Sequence, residues 1–180
     1  MKIKQKTRIT KLIGYIFSIS IVPASYAQIC QTDNLPQTTP VENTTIINTD
    51  IVQDNVTKLE WQRCAYGQIA TSTSCEGSVQ KINWQTALQT AQSLGNGWRL
   101  PNVKELASII DYQCFAPPAN STIFPDTPTS EDSGFWTSTP AQRNIPSEEI
   151  TPTIWFFDLA HGHLQRKPHD ETNYARFVRN

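Results

Sequence analysis

The residues whose types and spacing could do chemistry are concentrated near the end of the chain. Residues 161–169 carry five basic or titratable side chains without an intervening acidic residue: His161, His163, Arg166, Lys167 and His169. Arginine can bind sulfate or carboxylate groups bidentately, and lysine can bind them as a point charge. The stretch therefore predicts a basic patch that binds an anionic polysaccharide, and the alternative is a solvated hairpin without a ligand.

The types and spacing of possible ligand residues also allow two metal sites. Residues two apart in a strand share a face, so His161, His163 and His169 could bind zinc. The oxygen ligands of Asp126, Glu131 and Asp132 could bind calcium. Neither set matches a recognised ligand motif, so we predict no resident metal and no cofactor, with calcium as the alternative.

Catalytic motifs are not visible in the sequence. It contains no Gly-x-Ser-x-Gly elbow, no His-Glu-x-x-His helix and no phosphate-binding glycine loop. We therefore predict a protein that is not an enzyme. An enzyme with an unrecognised site is the lesser alternative.

The first 27 residues have the pattern of a signal peptide. An apolar run at residues 12–22 is shorter than the roughly 20 apolar residues of a spanning helix. It follows a cationic head formed by Lys2, Lys4, Lys6, Arg8 and Lys11. We expect cleavage after Ala27, export to the periplasm, the cell surface or the medium, and no membrane span.

The charge of the remaining 153 residues narrows the class of partner. They hold 10 Lys and Arg against 16 Asp and Glu, which gives a net charge of −6. A chain of that sign has no global attraction to nucleic acid. We therefore expect an extracellular glycan or a surface protein as the partner, and no nucleic acid.

All four cysteines lie in the exported part, which predicts two disulfides. Four cysteines allow three pairings. Cys64 and Cys75 flank a polar stretch of ten residues that looks like a loop closed by its own bridge. Cys30 then pairs with Cys114 and ties the N-terminal segment to the domain. A metal site is disfavoured because no CxxC pair exists.

Helices and strands must position these residues. Their predicted order indicates an α+β fold in one domain. Apolar spacing, with Asn83 before it and Gly95 after it, predicts a helix over 84–94. A second helix starts after Asn102, where Glu105 completes a capping box, and runs to about residue 112.

Short strands come before and after the two helices. They are predicted at 45–48, 51–54, 58–63, 135–139, 154–159, 163–165 and 175–179, with a hairpin turn at His161-Gly162. Residues 28–45 read as an extended segment, and the domain spans 46–180.

Three segments together carry a resemblance to a known family: Leu59-Glu60-Trp61-Gln62-Arg63-Cys64, Trp98-Arg99-Leu100-Pro101-Asn102-Val103-Lys104-Glu105-Leu106 and Phe135-Trp136-Thr137-Ser138-Thr139-Pro140. They resemble the Lcl C-terminal domain family, which is named after a bacterial collagen-like adhesin. The resemblance implies a C-type-lectin-like fold with two helices on a twisted, mainly antiparallel sheet, and a role in adhesion. The adhesin that names the family binds sulfated glycosaminoglycans.

The resemblance also assigns structural roles within these segments. It implies that Trp61, Trp98, Arg99, Pro101, Asn102, Glu105 and Trp136 are framework residues. We expect Arg99 to satisfy buried carbonyls, with an anion clamp as the alternative, and we expect most of the five tryptophans to be buried.

The resemblance also implies a fold similar to that of formylglycine-generating, sulfatase-modifying proteins. Those proteins depend on a cysteine pair late in the domain, whereas no cysteine follows Cys114 here, so an oxygenase of that type is disfavoured. Two departures bear on the ligand: no collagen-like repeat precedes the domain, and residues 143–153 are longer and more acidic than is usual.

Overall fold

The structure is a computed structural model that describes residues 28–130, 132, 134–141 and 151–180. The predicted signal peptide, Glu131 and most of the acidic segment 143–153 lie outside these residues. No helix within the described ranges is both long enough and apolar enough to cross a membrane.

The described residues form two α-helices, one short 3-10 helix and thirteen short strands. The helices are α1 (Trp84–Leu94), α2 (Val103–Ser108) and the 3-10 helix (Val41–Asn43). The strands are β1 (Ile29–Cys30), β2 (Thr44–Ile46), β3 (Ile51–Asp54), β4 (Glu60–Gln62), β5 (Ile69–Ala70), β6 (Cys75–Glu76), β7 (Ile82–Asn83), β8 (Cys114–Phe115), β9 (Gly134–Ala141), β10 (Thr153–Asp158), β11 (His163–Pro168), β12 (Thr172–Asn173) and β13 (Val178–Arg179).

Two larger sheets organise these strands. One has four strands in the order β13-β4-β3-β2, and the other has three in the order β11-β10-β9. The pairs β1–β8, β5–β6 and β7–β12 form small ribbons. All of these strand pairings are antiparallel. The observed class is therefore a small mixed fold, mainly antiparallel, with two short helices, as the sequence predicts.

Helix α1 has the predicted bounds because its caps are local. The side chain of Asn83 accepts a hydrogen bond from the backbone N–H of Thr86 at 2.8 Å. At the other end, Gly95 has a φ of 65° and a ψ of −160°, a backbone conformation that is essentially restricted to glycine. Ala87 and Ala91 face the core from this helix.

Helix α2 is shorter than the sequence predicts. It begins with the expected capping box of Asn102 and Glu105, but it ends at Ser108 rather than near Tyr112. The backbone N–H of Ile110 bonds to the carbonyl of Ala107, and the N–H of Asp111 donates to Pro118 in the following loop at 2.9 Å. The helical ladder therefore stops because the loop offers its backbone another partner.

The three-stranded sheet lies between two hydrophobic clusters. Successive strand residues point to opposite faces, so Phe156 and Phe157 enter different clusters. Phe157 packs with Leu106 of α2, and Phe156 packs with Trp136 and the buried alanines of α1. Strand β10 is thus covered on both faces, whereas β11 is an outer strand whose first four residues are exposed.

The N-terminal segment 28–45 is joined to this body by several contacts. Strand β1 pairs with β8, and the hydroxyl of Thr38 donates to the carbonyl of Ile110 at 2.9 Å. Strand β2 spans the predicted boundary at residue 46 and forms one edge of the four-stranded sheet. The segment therefore contributes regular structure as well as extended chain.

Both disulfides are present in the predicted pairing. Cys30 bonds to Cys114 across 84 positions of sequence, and Cys64 bonds to Cys75 across 11. The first bridge joins β1 to β8. The second closes the polar loop between Cys64 and Cys75, which contains β5.

The last predicted strand is shorter than expected. The sequence predicts one strand over 175–179, but only Val178–Arg179 is extended and paired. Thr172–Asn173 forms a separate strand before the predicted range. Between them, the carbonyls of Ala175 and Phe177 accept from Tyr66 and Gln62 of other loops and strands. This segment therefore crosses between sheets instead of running along one.

Candidate ligand-binding surface on the last hairpin

The predicted basic stretch forms the turn and outer strand of a hairpin made by β10 and β11. The register pairs Trp155 with Arg166, Phe157 with Leu164 and Asp158 with His163. Because side chains alternate along a strand, Arg166 and Lys167 lie on opposite faces. The hairpin therefore cannot present all five predicted residues as one patch.

Arg166 lies on the face that also carries Trp155. Its side chain is exposed and forms no ion pair with any residue of the described ranges. Trp155, directly opposite in the register, is half-buried. A guanidinium beside a partly open indole is an arrangement that can contact both the charged groups and the apolar ring face of a sugar.

Lys167 belongs to an ion-pair network on the other face. Its ammonium lies 3.1 Å from Asp132 and 3.8 Å from Glu171, and it donates to the side chain of Asn173 at 3.2 Å. Only 13% of the side chain is exposed, and the ammonium lies 5.5 Å from the centroid of the Phe156 ring. Lys167 hydrogen-bonds to Asp132 and lowers the pKa of that carboxyl. Lys167 therefore has acidic partners within the protein, and an anionic ligand would compete with them for its ammonium.

His169 joins the hairpin to α1. Its backbone N–H donates to the carbonyl of Pro152 at 3.0 Å, and its own carbonyl accepts from the N–H of Trp84 at 3.1 Å. The residue is half-buried. It lies outside the group formed by the other two histidines, so the three histidines considered as zinc ligands do not come together.

His161 and His163 instead meet Asp158, which the sequence analysis did not select. The Nδ1 atom of His161 lies 2.9 Å from Asp158 Oδ2, and the Nε2 atom of His163 lies 3.9 Å from the same oxygen. The backbone N–H of Ala160 donates to Asp158 Oδ1 at 2.8 Å. The pairing of Asp158 with His163 follows from the register of the two strands once the turn at 161–162 is known. The predicted turn could therefore have identified Asp158 as a neighbour of His163.

The two described aspartates that were considered as calcium ligands have separate structural roles. Asp126 accepts a hydrogen bond from the backbone N–H of Cys75 at 2.7 Å. Asp132 pairs with Lys81 and Lys167. Glu131 lies outside the described residues. The two aspartates are not part of any three-residue ligand group found among the described residues.

Arg99 is a framework residue, but its partner differs from the one expected. Its guanidinium forms a bidentate pair with Glu105 at 2.7 and 2.8 Å and also contacts Asn180 at 3.0 Å. The carbonyl of Leu100 is a longer contact at 3.4 Å. Glu105 therefore fills the position that an external anion would occupy.

Two other arginines take the role predicted for Arg99. Arg63 donates to the carbonyls of Ile123 and Thr49, and Arg176 donates to the carbonyls of Gln62 and Arg63. Burial, together with the nearby charge of Arg63, lowers the pKa of Arg176 to about 9. Neither role is predictable from the sequence, because nothing local marks an arginine as buried.

The tryptophans divide into two groups. Trp61 and Trp136 are fully buried, whereas Trp84, Trp98 and Trp155 are half-buried. Because only two of the five are buried, the expectation that most of them are buried is wrong. The ring of Trp98 is covered by Arg179, whose guanidinium carbon lies 4.7 Å from the ring centroid.

Comparisons with known proteins place the chain in a family. A search of curated proteins finds no match. Among solved structures, botrocetin is similar over 64% of this chain and 97% of its own, with 12% identity and a TM-score of 0.37. The family model for the Lcl C-terminal domain matches residues 50–179. The chain belongs to the Lcl C-terminal domain family.

Proposed function

We propose that this chain is an extracytoplasmic recognition domain that binds glycans, anionic ones among them, or a surface protein in adhesion. Its scaffold is of the C-type-lectin-like kind, and it has no enzymatic activity. Membership of the Lcl C-terminal domain family is consistent with recognition or adhesion. The observation that carries the proposal is the exposed Arg166 opposite Trp155 on the outer strand of the last hairpin.

Two features support a location outside the cytoplasm. Both disulfides are formed, and such bonds persist in oxidising compartments. The first 27 residues have the pattern of a cleaved signal peptide. Recovery of the mature chain with its N-terminus at Gln28 from periplasm or medium would support this part, and recovery from the cytosol with four free thiols would oppose it.

The Arg166 face supports glycan binding through its chemistry. A guanidinium unpaired within the described part of the chain needs no internal salt bridge to break before it meets a sulfate or carboxylate. The acidic net charge does not prevent this, because interactions between exposed charges are screened beyond about 10 Å at 0.1 M ionic strength. A sulfated ligand should therefore bind through local contacts and weaken as salt is added.

A glycan array probed with the mature domain at two salt concentrations tests the proposal. We expect retention of sulfated or uronic-acid-containing glycans at low salt and reduced retention at high salt. Binding that does not change with salt would exclude a charged contact at Arg166. An empty array at both salt concentrations would contradict glycan binding altogether.

A second function is favoured by a separate observation, the outer edge of β11, which pairs with no further strand of the described residues. This strand of six residues is the outer strand of its sheet, and an unpaired edge can accept a strand from another protein. The chain would then be a structural or assembly subunit of a cell-surface complex. Recovery of one defined protein partner together with an empty glycan array would favour this function over the first.

A further inference from the structure

We propose that Asp158, His161 and His163 bind a divalent transition-metal ion of the zinc class at the turn of the last hairpin. The site lies around Asp158 and His163, on the strand face opposite Arg166, so it goes beyond the proposed glycan contact and does not depend on it. The juxtaposition of one carboxylate and two imidazoles carries the proposal.

The spacing of the three ligand atoms is close to that of a tetrahedral centre. One ligand atom from each residue lies within 4.8 Å of the others. Asp158 Oδ2 is 2.9 Å from His161 Nδ1 and 3.9 Å from His163 Nε2. Tetrahedral ligands at zinc–ligand distances near 2.0–2.1 Å stand about 3.3 Å apart. Small rotations of the two imidazoles would therefore complete the geometry.

The two histidines are free to make those rotations. Their side chains are 61% and 51% exposed, whereas that of Asp158 is 9% exposed. Asp158 is held by the backbone N–H of Ala160, which uses Oδ1 and leaves Oδ2 for a metal. The exposed amide of Gln165 contacts His163 Nε2 and would turn aside on metal binding. The site thus combines one fixed ligand with two adjustable ones.

The electrostatics of Asp158 supply an independent reason. A carboxylate taken out of water needs a positive partner or several hydrogen bonds. Asp158 forms no ion pair with a lysine or arginine of the described ranges, and its ionisable partners there are the two imidazoles. A divalent cation would compensate this buried charge.

The ligand types select the metal class. Two imidazole nitrogens and one carboxylate suit zinc and related first-row ions, whereas calcium prefers six to eight oxygen ligands. Three protein ligands leave at least one coordination position open, and the exposure of both histidines directs that position to solvent. The bound ion could accept an oxygen ligand from a partner.

Titration of the untagged mature protein with zinc chloride tests the site. Calorimetry should show one ion per chain, and an excess of about 100-fold over Kd should raise the Tm by about 5–10 °C. His161→Gln and Asp158→Asn should each weaken the affinity by at least about tenfold. Asparagine can still accept the Ala160 hydrogen bond through its side-chain oxygen, so Asp158→Asn preserves the turn.

His169→Gln is the matched control, because it removes a histidine from the same hairpin but outside the group. We expect this variant to bind zinc as the wild type does. Equal loss in His161→Gln and His169→Gln would overturn the assignment of ligands. An absence of stoichiometric zinc binding by the folded wild-type protein would overturn the site itself.

Discussion

The Arg99–Glu105 pair offers the sharpest test of how the framework is held. Glu105 makes two kinds of contact at once: it pairs with Arg99, and its Oε2 atom accepts the backbone N–H of Asn102 at 2.7 Å to close the capping box of α2. In the variant Glu105→Gln, the new amide oxygen could still accept that N–H, but the negative charge would be lost. In Glu105→Ala, both the charge and the acceptor would be lost. The two substitutions therefore separate the two contributions.

The structure indicates how much the helix cap and the ion pair of Glu105 each contribute to the free energy of unfolding. A cap of this kind stabilises by about 1 kcal/mol. A well-formed bidentate pair could contribute more, but the Arg99 side chain is 39% exposed, so solvent screening reduces the pair to about 1 kcal/mol. We therefore expect Glu105→Gln to cost about 1 kcal/mol and Glu105→Ala about 2 kcal/mol in the free energy of unfolding.

The pH dependence has a definite sign. Desolvation raises the pKa of Glu105, but hydrogen bonds from Arg99 and Asn102 and the charge of Arg99 outweigh it, so the pKa is lowered from its usual 4.5. A depressed carboxyl pKa gives stability that is present above the unfolded value and is lost as the pH falls through the folded one. The difference between wild type and Glu105→Gln should therefore shrink below about pH 4.5.

Urea unfolding at pH 7 and at acidic pH measures these differences as shifts of the midpoint at constant m-value. A double-mutant cycle with Arg99→Gln should give a coupling energy near 1 kcal/mol at neutral pH. If Glu105→Gln proved as stable as wild type while Glu105→Ala did not, the charge pair would contribute nothing. A wild-type advantage over Glu105→Gln that grew in acid would contradict the sign of the linkage.

Two further predictions concern stability. Replacing Cys30 and Cys114 with serine should lower the free energy of unfolding by about 4.5 kcal/mol, and replacing Cys64 and Cys75 should lower it by about 3 kcal/mol. The first loss is larger because the first bridge closes the longer loop. Equal losses in reversible urea unfolding would contradict this prediction. Gly134→Ala should cost about 1–3 kcal/mol, because an added Cβ would lie 2.6 Å from Phe156 Cδ2 and 2.8 Å from Asn173 Oδ1. A loss below about 0.5 kcal/mol for Gly134→Ala in the same unfolding assay would refute the steric argument.

Local signals account for the features that the sequence predicted well. The bounds of α1 follow from apolar spacing, Asn83 and Gly95, all within one short window. The pairing of Cys64 with Cys75 likewise follows from the short polar loop between them. The predicted end of α2 was wrong because the backbone N–H of Asp111 donates to the carbonyl of Pro118. Pro118 lies in a loop whose path the sequence does not reveal.

The candidate site was only partly predictable for the same reason. The sequence shows five basic or titratable side chains close together along the chain, but alternation along β11 places Arg166 and Lys167 on opposite faces. Lys167 is neutralised by Asp132, 35 positions away. Asp158 joined the histidines through cross-strand pairing, which charge counting along the chain does not consider.

A matched pair of charge variants tests the recognition proposal most directly. Arg166→Gln and Lys58→Gln each remove one exposed positive charge, but Lys58 lies in the turn before β4, in the other large sheet. Their affinities for a sulfated polysaccharide are compared with that of wild type at one low salt concentration. We predict a loss of about tenfold or more for Arg166→Gln and less than about twofold for Lys58→Gln. Equal affinities of the two variants would contradict the assignment of Arg166 as the glycan contact.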